Sequence, residues 1–284
     1  MIARLAPFAF IALWSSAFVA VRAGLPDVSP LYFLAVRFAI ASVVLLALVA
    51  VTRQSWAGVA ARWHHLALAG ALINAVYLSL AYIAMQRVSG AIMALIGALN
   101  PMLVALLAGP VLGERFSPRQ WAGVLLGFLG VALTVGARAA ESAAELVPML
   151  IGAAGILALT LGTLYHGRYG RGIALMPANA VQMIAAAATA GLLVLLFETP
   201  RAAWTPTAVA TLLWLALAVS IGGMGLFLYM MKSGMAGKVA ANFYLTPGVT
   251  AVMGWAILGE QLSLLGLAGL VIASAGVWLV QSSR

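Results

Sequence analysis

Leu99–Thr134 reads LNPMLVALLAGPVLGERFSPRQWAGVLLGFLGVALT, and Leu245–Val280 reads LTPGVTAVMGWAILGEQLSLLGLAGLVIASAGVWLV. A shift of 146 positions lays one on the other without a gap. Pro101 then falls on Pro247, Leu112-Gly113-Glu114 on Leu258-Gly259-Glu260, and Ser117 on Ser263. Further along, Ala122-Gly123 falls on Ala268-Gly269 and Gly130-Val131 on Gly276-Val277. Two apolar helices share scattered Leu and Ala by chance. A proline, an L-G-E turn and two glycines in one register instead mark an internal repeat.

What repeats is a membrane unit. Of the 284 residues, 65% are hydrophobic and 7% charged, and the mean hydropathy is +1.12, whereas a soluble domain carries about a quarter charged residues. A hydrocarbon core about 30 Å thick takes roughly 20 apolar residues per helical crossing. Apolar runs of that length recur from Leu5 to Val280, separated by short breaks of loop chemistry such as Pro26–Pro30 and Glu198–Pro206. The spacing predicts an all-α membrane protein of ten transmembrane helices. They fall near 5–22, 30–51, 65–86, 90–112, 118–137, 147–165, 176–197, 207–230, 236–258 and 263–281. The first resembles a signal peptide, with Arg4 before an apolar run, but is expected to be retained because apolar segments continue to the end. The net charge of +9 sits as single basic residues in the breaks, so it signals topology and not a nucleic-acid partner. With no cysteine, thiolate chemistry and disulfides are excluded, and no cofactor or metal is expected.

Ten spans put both termini on one side. With the termini inside, the inner breaks carry Arg53, Arg62, Arg115, Arg119, Arg168, Arg171, Lys232 and Lys238, besides the terminal Arg4 and Arg284. The outer breaks carry only Arg22, Arg87, Arg138 and Arg201, so the positive-inside bias favours cytoplasmic termini in a bacterial inner membrane. The halves are 1–138 and 139–284. Five helices each is an odd number, so the second half runs through the bilayer inverted relative to the first, an arrangement that lets pseudo-equivalent halves open a central cavity to alternate sides.

Trp14-Ser15-Ser16-Ala17-Phe18, Arg37-Phe38 and the paired proline and L-G-E hairpins resemble the EamA-type branch of the drug/metabolite transporter superfamily. The resemblance covers essentially the whole chain. It implies a secondary transporter, with amino acid exporters of the YddG type, including carriers of aromatic or other neutral amino acids, among the similar members. Drugs, nucleotide-sugars and lipid-linked sugars are the alternative cargo, and a pore the less favoured device. The small four-helix multidrug members use a glutamate in the first helix, and this first helix has no acid.

Candidate residues follow from polarity inside the spans. Pro101 and Pro247 each lack an amide donor mid-span and free the carbonyls of Gly97 and Phe243. They either form a matched pair of gating breaks, flanked by Asn100 and Thr246, or merely kink for packing. Replacing Pro101 with Ala should reduce transport more than folded yield, which counterflow normalised to folded protein would measure. Ser79, Tyr82 and Gln86 share one face of the third helix with Asn74 nearby; Thr160, Thr163, Gln182, Asn242 and Tyr244 are the polar residues of the other half. Each either lines a cavity or bonds between helices. Trp14, beside Ser15, offers either a cavity wall or packing. Arg37 lies about seven residues, or roughly 10 Å, from the outer end of its helix. An intramembrane arginine either binds a carboxylate bidentately or snorkels to the surface. No Asp, Glu or His lies near a span centre, and no motif such as H-E-x-x-H suggests an enzyme. Gly123, Gly127, Gly130, Gly266, Gly269 and Gly276 permit close helix contact, either within a monomer or across a homodimer. The expected partners are thus a small-molecule substrate and the lipid bilayer.

Overall fold

The computed structural model describes residues 2–112, 117–170, 173–223, 226, 230, 236–261 and 263–281, with side chains left undescribed at 2–4, 105, 108–112, 138, 139, 141, 236–244, 280 and 281. The described regular elements are helical, apart from one isolated antiparallel bridge, Val28 to Ala202. They are α1 (Ile2–Gly24), α2 (Pro30–Val51), α3 (Val59–Met85), α4 (Gly90–Gly97), α5 (Leu99–Leu112) and α6 (Pro118–Glu141). After a 3-10 turn come α7 (Leu146–Tyr169), α8 (Leu175–Phe197), α9 (Pro206–Gly223), α10 (Ala236–Leu258) and α11 (Leu264–Gln281). Seven of the described helices are long and apolar enough to cross a membrane, and shorter apolar helices occupy Gly90–Val104, Leu245–Leu258 and Leu264–Leu279.

Boundaries follow local chemistry. Pro30 and Pro206 stand at helix starts, where a missing amide hydrogen is harmless. Thr205 Oγ1 accepts from the Ala208 amide at 3.1 Å, and Ser89 Oγ from the Ile92 amide at 3.3 Å, capping α9 and α4. The Glu198 carboxylate, from the far half of the sequence, accepts the Leu31 and Tyr32 amides at 3.1 and 2.8 Å and complements the positive end of α2. Gly259 of the second L-G-E turn has φ +67°, the left-handed conformation that favours glycine. Its counterpart Gly113 lies outside the described residues.

Three differences from the sequence reading bear on function. The third helix starts at Val59 rather than 65 and changes to π-helix over Ala71–Val76. The expected helix 90–112 is two helices with a turn at Ala98. The eighth span contains a π-helix over Trp214–Gly223. Shifted by 146 positions, the first π segment lands inside the second. Such segments widen the helix, leave backbone groups off the regular ladder and concentrate at functional sites.

Two pairs of helices pack against their repeat counterparts. α2 lies against α8, and α6 against α11. The α6–α11 seam is a backbone contact. A methyl group added at Gly276 would sit 2.3 Å from the Gly127 nitrogen and 2.7 Å from the Gly123 oxygen, and one at Gly130 2.3 Å from the Ala273 nitrogen. These glycine faces are therefore occupied within the chain. Around the bundle, Phe8, Leu125, Leu129, Leu195, Phe197 and Val271 are exposed, a surface suited to lipid and unsuited to water.

Candidate functional site

Arg37 sits two turns into α2, and its side chain turns inward; the residue is only 6% exposed. It does not snorkel. Nη1 donates to Tyr82 Oη of α3 at 2.6 Å, and Nη2 donates to Ser220 Oγ in the π segment of α9 at 3.2 Å. Its Nε is buried without a hydrogen-bond partner, and its described partners include no carboxylate. The Phe38 ring lies 5.9 Å from the guanidinium carbon. Ser79, one turn before Tyr82, is also buried with an unpartnered hydroxyl. An unpaired buried polar group costs about 1–3 kcal/mol, and a charged one more. Two neutral hydroxyls hold this cation, and one of its donors is left over.

Ser220 was not among the residues singled out by sequence. It has a legible signal: the 146-residue shift places it on Asn74, half-buried in the matching π segment. Its hydroxyl also donates to the Leu215 carbonyl five residues back, at 2.9 Å, so the widened turn supplies its own acceptor while the oxygen faces Arg37.

The other candidates divide. Ser15, fully buried on α1, donates to the Thr246 carbonyl of α10 at 3.4 Å, directly before Pro247. Thr250, one turn on, is buried with an unpartnered hydroxyl. Asn100 Oδ1 accepts from Thr160 Oγ1 of α7 at 3.0 Å, joining α5 to the other half. Trp14 packs on Phe10, ring centroids 5.5 Å apart, in a small cluster with Met230. Thr163 donates to its own helix at Leu159, and Gln182 contacts the His166 ring nitrogen at 3.3 Å, so neither joins the Arg37 group. The side chains of Asn242 and Tyr244 lie outside the described residues.

The two prolines do not interrupt their helices alike. Pro101 stands in the first turn of α5, where its missing donor would be unpaired anyway, and the chain breaks three residues earlier at Ala98. Pro247 lies inside the continuous α10.

A bundle of long apolar helices with repeat-matched π segments is that of a polytopic membrane protein. The EamA-like transporter family model matches the chain twice, over residues 2–136 and 146–282, and the protein belongs to that family. It is 26% identical over 279 residues to the uncharacterized transporter YvbV of Bacillus subtilis, covering 96% of this chain and 89% of that one. It is also 26% identical over 273 residues to the uncharacterized inner membrane transporter YedA of Escherichia coli K12, covering 90% and 83%. A protein of known crystal structure shares the fold at a TM-score of 0.67 and 24% identity, over 99% of this chain and 97% of that one. The protein is therefore a multi-pass membrane transporter.

Proposed function

We propose that this transporter exports small metabolites, most of all amino acids of the aromatic or other neutral kinds, by alternating access at one central site. In this reading the spans number ten, in two inverted five-helix halves, 1–138 and 139–284, with both termini in the cytoplasm of a bacterial cell. The observation that carries it is Arg37: a buried guanidinium held by one residue from each half, Tyr82 and Ser220, with Nε unpaired. A zwitterion brings the carboxylate that this cation lacks. Because the anchoring hydroxyls come from different halves, relative movement of the halves changes the site as the solute binds.

The inverted arrangement draws support from the two family-model matches and from the pairing of α2 with α8 and α6 with α11. It also agrees with which chain ends meet. The breaks 24–30 and 198–206, both expected outside, join through the Ser29 amide to the Arg201 carbonyl at 2.8 Å and the Ala203 amide to the Asp27 carbonyl at 2.8 Å. The start of α3 and the end of α7, where His65 Nδ1 meets Tyr165 Oη at 2.6 Å, carry the basic residues expected inside.

The test is solute counterflow in proteoliposomes loaded with single amino acids. Saturable exchange of a carboxylate-bearing solute is expected, and linear, unsaturable flux would point to a pore. With no acid or histidine near a span centre, counterflow should not respond to a pH gradient. Uphill accumulation driven by a pH gradient would overturn that part of the proposal.

A further inference from the structure

Away from the Arg37 site, one charged pair ties the two halves at the end of the bundle. Arg22, in the last turn of α1, donates Nε to Glu260 Oε1 at 3.1 Å and Nη1 to the Met85 carbonyl, the last residue of α3, at 2.6 Å. Glu260 follows α10 and accepts the Gly90 amide, the first of α4, at 3.2 Å through Oε2. Four chain segments from both halves thus converge on one carboxylate and one guanidinium. The carboxylate also lines a cavity of about 370 Å³ with Ser89, Ala91, Ala251 and Trp255, between α4 and α10.

We propose that Arg22 and Glu260 are gating residues: a latch between the halves that closes this end of the transport path and opens in each cycle. The proposal rests on the carrier reading above. Two physical features favour a working contact over a permanent tie. The side chains are 28% and 13% exposed, so the pair is screened less than a surface ion pair, yet both charges reach water when it parts. A contact whose rupture is repaid by hydration suits an equilibrium between states of similar free energy better than an apolar plug. The carboxylate also bonds the first amide of α4, so release would free the N-terminus of the helix that leads to the Ala98 break. The pair recurs in sequence at the 146-residue register, where Arg168 falls on Arg22 and Glu114 on Glu260. Glu114 lies outside the described residues.

Because the chain has no cysteine, a single reporter can be read cleanly. Val88, fully buried between Met85 and Gly90, accepts cysteine with little change in volume. Maleimide labelling of Val88→Cys protein in lipid nanodiscs, where both faces are accessible, measures opening whatever the orientation. Arg22→Gln and Glu260→Gln should each raise the labelling rate about tenfold, and the double variant by much less than the product of the two, because the shared ion pair is lost only once. A cysteine at Ala190, buried in α8, should stay protected in all variants. Unchanged Val88→Cys rates, multiplying effects in the double variant, or Ala190→Cys labelling in step with Val88→Cys would each overturn the latch. Counterflow by the unmodified protein separately decides the carrier reading.

Discussion

Arg37→Gln lowers counterflow of a carboxylate-bearing amino acid on the order of a hundredfold, while the folded yield in detergent stays within about twofold. The expectation follows from the hydrogen bonds of the guanidinium. A hydrogen bond to a charged group is worth about 1.5–3 kcal/mol, and each 1.4 kcal/mol is about tenfold in affinity. Glutamine retains a donor for Tyr82 or Ser220 but loses the charge and the spare Nε donor. Arg37→Lys keeps the charge without the planar fork, so it should recover part of the rate. The amide analogue of the same amino acid, which has no carboxylate, should discriminate poorly between the wild type and Arg37→Gln. Equal loss for the acid and its amide, per folded molecule, would show that Arg37 serves packing alone. The Ser220→Ala variant provides a milder version from the other half, with an expected loss of about tenfold from removing one charged hydrogen bond.

Gly276→Ala lowers the melting temperature of the purified protein by about 5–10 °C, whereas Gly136→Ala leaves it unchanged or slightly raised. The chemical change is the same. At Gly136 an added methyl meets nothing within 4 Å, and alanine gains up to about 1 kcal/mol of helix propensity over glycine. At Gly276 the methyl would press on backbone atoms at 2.3 and 2.7 Å, which cannot rotate away as a side chain end can. α6 and α11 must then separate, and overpacking of this kind costs about 1–3 kcal/mol, or roughly 2–4 °C per kcal/mol in a chain of about this size. Tolerance of Gly276→Ala in a thermal unfolding assay would mean that the seam is looser than its geometry states.

The residues named from sequence met different fates for identifiable reasons. Arg37 and Tyr82 were visible because polarity within an apolar span is rare and the bilayer makes it expensive. Their contact was not visible, since it joins positions 45 residues apart on separate helices. Ser220 was hidden because a lone serine in a helix is ordinary; only its placement opposite Asn74 in the repeat marks it. Gln182 and Thr163 carried the same polarity, yet Gln182 meets His166 on the preceding helix and Thr163 the Leu159 carbonyl of its own. The paired prolines sit in helices of different continuity: the chain turns at Ala98, beside the Gly97 carbonyl that Pro101 cannot bond, while α10 runs unbroken through Pro247.

The Leu99–Thr134 and Leu245–Val280 register by itself determined that the chain is a duplicated membrane unit, because a proline, an L-G-E turn and paired glycines do not recur at fixed offsets by chance. Composition likewise determined the solvent, since a chain that is 65% hydrophobic and 7% charged has too few charged residues to cover a water-facing surface. Tertiary structure decided the rest: which glycine faces meet, where the π segments fall, and which cation is left without an acid. Those outcomes depend on close approach between helices far apart in sequence, where a few tenths of an ångström separate a packing contact from a binding site.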